Sequence, residues 1–140
     1  MAHEAAIRTE LEGLRARLPD VTGAVAATAD GLLLAADPPG LPAEGFAALS
    51  AAALGVGLRL TDAAGQESFR ELLIRSGDGC VALYPAGRDA VLLVLAGPHT
   101  NVGRLHLESR RSGARVAALL DGSTARPERT AALPAGGGAP

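Results

Sequence analysis

Residues 90–96 read AVLLVLA, a run without one polar side chain. Side chains of a strand alternate between two faces. A run that is apolar at every position is therefore stable only where both faces are covered. That requirement places Ala90 to Ala96 in the middle of a sheet with helices on either side, and the rest of the chain has to supply the neighbours and the two layers.

Candidate neighbours are easy to find. VTGAVAATADGLLLAAD, residues 21–37, is two apolar runs joined around Asp30-Gly31, a strong hairpin signal. Cys80 to Pro85 alternates as a strand does, and Asp78-Gly79 and Ala86-Gly87-Arg88-Asp89 fall between apolar runs as turn residues. Gln66 to Arg75, QESFRELLIR, carries charge on both faces, which suits a sheet edge. The layers come from helices. From Glu4 to Leu18 the stripe is Ile7, Leu11, Leu14 and Leu18, and Pro19 ends it. A last helix starts near Asn101, a good N-cap, and its periodicity lasts to about Leu120. Its inner stripe of Val102, Leu105, Ser109, Ser112, Val116 and Leu119 is small in the middle, where something must approach closely. Arg104, Glu108, Arg111 and Arg115 form the opposite face, read as solvated charges joined in Arg–Glu pairs. From Asp121 the periodicity is gone and the chain ends ALPAGGGAP, so we expect a folded domain over 1–120 and a disordered tail over 121–140.

The middle helix, Ala43 to Ala64, is apolar on two sides. At 100° per residue Phe46, Leu49, Ala53, Val56 and Leu60 gather on one face, and Ala47, Ala51, Leu54 and Leu58 almost opposite. A helix on one sheet needs one apolar face. Leaving Leu54 and Leu58 in water forgoes roughly 1.5–3 kcal/mol each, so a second contact is expected there. Between the faces runs a strip of small or polar residues, Ala48, Ala52, Gly55, Arg59 and Asp62.

Composition excludes more than it suggests. A chain of 140 residues fits one domain with a proper core. All 13 basic residues are arginine, which removes the P-loop lysine, Schiff-base lysines and the kinase lysine together. Preference for Ala, Gly, Pro and Arg also points to a GC-rich bacterial genome. A net charge of −2 gives no general attraction to nucleic acid or acidic membranes, and Phe46, Phe69 and Tyr84 make no stacking platform. MAHEAAIRTE is not a secretory signal, and no apolar run reaches the roughly 18 residues of a membrane span. His3, His99 and His106 lack the close pairing of metal ligands, so neither metal nor cofactor is expected. One cysteine excludes an internal disulfide and agrees with a reducing cytoplasm. The stretch GDGCVALYPAGRDAVLLVLAG looks chemical, but its glycine loops open strands, whereas a phosphate cradle opens a helix. Cys80 starts a strand with no histidine nearby in sequence and is read as packing. No G-x-S-x-G offers a serine nucleophile. The chain reads as a binding protein, not an enzyme.

The order helix, two strands, helix, three strands, helix, carried by VTGAVAATADGLLLAAD, ELLIRSGDGCVALYPAGRDAVLLVLAG and NVGRLHLESRRSGARVAAL, resembles the roadblock / dynein light-chain family. The resemblance covers about Ile7 to Leu120, with a Gly-Asp-Gly turn, a Tyr-Pro and an Asn-Val-Gly; an aromatic is common in the family where Cys80 stands. It implies an α+β, profilin-like fold: a five-stranded antiparallel sheet in order 2-1-5-4-3, two helices on one face and one on the other. It also implies a homodimer formed by pairing third strands and packing second helices. On this sequence that interface falls on Ala47, Ala51, Leu54 and Leu58 of the helix and Phe69, Arg70, Glu71, Leu72 and Leu73 of the strand. Bacterial relatives regulate small Ras-like GTPases, in one system by repositioning the GTPase's own catalytic residues. Here such a partner is expected on Ala48, Ala52, Gly55, Arg59 and Asp62, with Arg59 the best-placed arginine should one act in trans. Two other classes fit: a nucleotide-independent scaffold joining a sensor-kinase-like membrane protein to cytoplasmic partners, and a small-molecule sensor. Few aromatics and few polar core positions argue against the sensor.

Overall fold

A computed structural model describes residues 2–132 of the chain, with the side chains of 3–122. The elements are α1 (Ala2–Arg17), β1 (Val21–Thr28), β2 (Leu33–Asp37), α2 (Ala43–Ala63), β3 (Leu72–Ser76), β4 (Gly79–Ala86), β5 (Ala90–Ala96) and α3 (Val102–Ala132). The five strands form one antiparallel sheet in the order β2-β1-β5-β4-β3. The central strand is the all-apolar run Ala90–Ala96. Along β5, Ala90, Leu92, Val94 and Ala96 enter a core shared with α1 and α3, while Val91, Leu93 and the partly buried Leu95 enter one shared with α2. An all-apolar strand is satisfied here because helices cover both faces.

The α1/α3 layer follows its stripes. Ile7, Leu11 and Leu14 are fully buried, as are Leu105 and Val116. The small middle of α3 has its expected cause: a Cβ on Gly113 would lie 3.1 Å from the Pro85 carbonyl oxygen, and Ser109 and Ser112 are buried beside it. Asn101 caps α3, its Oδ1 accepting from the Arg104 N–H at 3.0 Å. The charges do form pairs, and several of them join the two helices. Arg115 Nε donates to Glu10 at 2.9 Å, Ser112 to Glu10 at 2.7 Å, and Arg17 Nε to Glu108 at 3.0 Å. Arg15 ties α1 to the sheet through Asp37 at 2.8 Å. Tyr84 is fully buried on this side, its hydroxyl 2.8 Å from His106 Nδ1, and burial holds that hydroxyl well above the ordinary tyrosine range.

Three sequence expectations are corrected. β3 begins at Leu72, not Gln66. Gly65 and Ser68 take positive φ of 72° and 59°, which breaks the extended backbone, and the ring of Phe69 turns back onto α2. Helix α3 runs past Leu120 to Ala132, because an apolar stripe marks only the part of a helix that covers a core; residues 133–140 lie outside the described residues. Finally, α2, 21 residues long with an 18-residue stretch of mean hydropathy 1.3, does reach the length and composition of a membrane span, but in this fold it is a sheet-covering helix.

Candidate interaction surface

The faces of α2 decide which surface is left for a partner, and the structure divides each of the two apolar stripes between core and solvent. Ala47, Ser50, Leu54 and Gly57 face the sheet. Ala47 and Leu54, placed by sequence at the dimer interface, are 0% and 5% exposed and belong to the core under α2. The reason is close packing. Small residues at 47, 50 and 57 let the helix sit low on the strands, and Gly57 leaves the space that the Phe69 ring fills; a Cβ there would be 2.6 Å from it. Phe69 is accordingly half-buried as an intramolecular wedge. Ala51 lies on the flank beside the β1–β2 turn, where a Gly31 Cβ would stand 3.8 Å from the Ala51 Cβ, and Leu58 is half-exposed.

Of the other stripe, Phe46 and Ala53 pack against the core, while Leu49, Val56 and Leu60 are 67%, 55% and 64% exposed. With Ile74 of β3, 53% exposed, Leu49 borders an apolar groove of about 330 Å³ between α2 and the end of the sheet. Phe46, Ala53, Leu72 and Leu83 line it too, and the buried Ser50 hydroxyl on its wall has no hydrogen-bond partner among the described residues. Both apolar stripes were visible in the sequence. The clue to which one lies inside is size: the packed stripe carries the small residues.

The two sheet edges differ in kind. β2 is defended: its register against β1 steps from Ala26–Ala35 to Ala27–Leu33, which bulges Leu34, and Pro38 and Pro39 follow without N–H groups. β3 keeps an unbroken register with β4 from Leu72–Leu83 to Ser76–Gly79 and contains no proline. Where β3 stops, β4 goes on through Pro85, which needs no ladder partner for an N–H it lacks. Glu71, just before β3, accepts from Arg110 of α3 at 3.1 Å. Leu72 and Leu73 are partly buried within the chain and Arg70 is exposed. β3 is thus an open pairing template beside an apolar groove.

On α2 the strip between the two apolar stripes is open to solvent. Ala48, Ala52, Arg59 and Asp62 are exposed and Gly55 partly so. Cys80 is buried in the α1/α3-side core at the rim of a small pocket with Arg75, Ser76 and Thr100; no histidine or carboxylate lines that pocket to serve as a base.

The Roadblock/LC7 domain family model matches residues 8–96. Among solved structures, an MglB described as having a tetrameric arrangement is similar at 19% identity and a TM-score of 0.76, over 85% of this chain and 90% of that one. The gliding protein MglB of Thermus thermophilus is similar at 19% identity and a TM-score of 0.75, over 85% and 91%. A Roadblock/LC7 domain from Streptomyces avermitilis has 25% identity and a TM-score of 0.66, over 86% and 95%. No curated protein matches the chain.

Proposed function

Because the chain belongs to the Roadblock/LC7 domain family, we propose that it works as a non-enzymatic homodimer that binds a small Ras-like GTPase and modulates its GTP hydrolysis or signalling. The observation that carries this reading is the continuity of the open β3 edge with the exposed Leu49 and Ile74 at the groove, with Val56 and Leu60 exposed on the same stripe of α2. A second copy related by a two-fold axis pairs the edge and removes those side chains from water in one step. Burying each is worth roughly 1.5–3 kcal/mol. The likeness to MglB structures, one of them described as tetrameric, supports self-association; the GTPase partner follows from the family resemblance. The dimer belongs in the cytoplasm, in keeping with a chain whose one cysteine cannot close an internal disulfide.

Such a regulator needs no chemistry of its own, since GTP hydrolysis is limited by positioning and charge stabilisation within the GTPase. On this chain the Ala48, Ala52, Gly55 strip allows flat approach, and Arg59, which has no side-chain partner among the described residues, sets register with Asp62. The test is a pull-down from the source organism's lysate with GDP or a non-hydrolysable GTP analogue. A Ras-like GTPase kept only with the analogue, and lost in Arg59→Glu while the dimer persists, supports the reading. Identical partners in both samples, none binding nucleotide, replace it with the scaffold joining a sensor-kinase-like membrane protein to cytoplasmic proteins.

A further inference from the structure

The open edge carries enough pattern to fix how two copies align. Leu72 and Ile74 point to the α2 side of the sheet, and Leu73 with its alternating neighbour Arg75 to the α1/α3 side. If both α2 helices lie on one face of a joined sheet, the two-fold axis runs perpendicular to the sheet. Directly opposed residues share a face, so the axis must pass where one residue meets its own copy. Centring on Arg75 opposes two arginines, which is unfavourable. Centring on Leu72 sets Glu71 against Leu73 and Arg70 against Ile74. Centring on Ile74 sets Leu73 against Arg75 and Leu72 against Ser76. Only Leu73 at the centre matches every pair: Leu73 with Leu73, Leu72 with Ile74, and Glu71 with Arg75.

We propose that two copies pair antiparallel with Leu73 facing Leu73 of the partner subunit, so that each Glu71 stands opposite Arg75 of the partner subunit. The proposal rests on the homodimer reading above and adds its register. The side chains are ready for it. Glu71 Oε1 already accepts from Arg110 at 3.1 Å, which leaves Oε2 for a second donor. Arg75 is exposed and has no partner of its own among the described residues. The joined sheet then carries a row Arg110, Glu71, Arg75 on its α1/α3 side, twice by symmetry. On the other side Leu72 and Ile74 of the two copies close the mouth of the α2 groove.

Single cysteines read the register directly. In a Cys80→Ala background, Leu73→Cys puts two sulfurs across the axis with Cα atoms about 4.5–5.5 Å apart, inside the range a disulfide spans. Ile74→Cys leaves them roughly 8 Å apart, from two strand rises and one strand spacing. Mild oxidation with glutathione disulfide should therefore link the Leu73→Cys chain and spare the Ile74→Cys chain. The unaltered cysteine background gives a second measurement. Arg75→Glu should weaken the dimer about tenfold, and adding Glu71→Arg should restore it in part, since the new guanidinium also meets Arg110. Cross-linking through Ile74→Cys instead, or a double charge reversal weaker than the single one, overturns the register while the dimer stands. A native chain that stays monomeric at high concentration in light scattering overturns both.

Discussion

Two glycines a half-turn apart on α2 show how much a single hydrogen can decide. A Cβ on Gly57 would press to 2.6 and 2.8 Å from the Phe69 ring, while a Cβ on Gly55 meets nothing within 4 Å. Both substitutions to alanine gain up to about 1 kcal/mol of helix propensity. Gly57→Ala must also push out the wedge that holds the segment before β3, at about 1–3 kcal/mol. In urea unfolding, Gly57→Ala should therefore lose about 1 kcal/mol and Gly55→Ala should gain up to that amount. Glu10 makes a similar point with charge. Burial alone would raise its carboxyl, but hydrogen bonds from Arg115, Ser112 and Arg17, with the Arg115 charge, hold it below its ordinary 4.5. A carboxyl whose pKa falls on folding adds stability that is fully present above 4.5 and is lost as the pH drops through the folded value. Glu10→Gln should cost about 1 kcal/mol at pH 7, discounted for the half-exposed arginines. That difference should shrink steadily below pH 4.5 as the native carboxyl takes up its proton.

At the scale of elements, α2 and β3 act together. Leu49→Glu or Ile74→Lys places a charge on the apolar rim of the groove, and each change occurs twice in a symmetric pair. The expected outcome is a monomer by light scattering, with dimer affinity weakened about a hundredfold or more. Leu32→Lys, at the tip of the defended β1–β2 hairpin, should leave the mass unchanged although Leu32 is equally exposed. Much of this was legible in the residues. The apolar run at 90–96, the Asp30-Gly31 hairpin and the charged edge each map onto a local rule, and each stands where that rule puts it. The strand order came from the family resemblance, since periodicity does not say which edges meet. The orientation of α2 was not read correctly, because hydrophobicity alone cannot rank two apolar stripes. Depth of packing ranks them, and it depends on Phe69 reaching Gly57 across a loop that sequence had drawn as strand.

For the whole molecule, self-pairing and partner binding are separate events on neighbouring parts of one helix. Leu49 borders the groove and Val56 and Leu60 are exposed on its stripe, while Arg59 and Asp62 are exposed on another face of the helix. If the folded chain is stabilised by its second copy, association adds to the folding free energy by mass action, and the melting temperature must rise with protein concentration. Arg59→Glu should keep that rise and lose the GTPase. Ile74→Lys should flatten it and also lose the GTPase, because a partner seated across two α2 helices needs both. Calorimetry over a hundredfold range of concentration, with GTPase capture on the same samples, separates the cases. A monomeric Ile74→Lys chain that still holds the GTPase at full strength would mean that one α2 strip suffices and that the dimer serves another purpose.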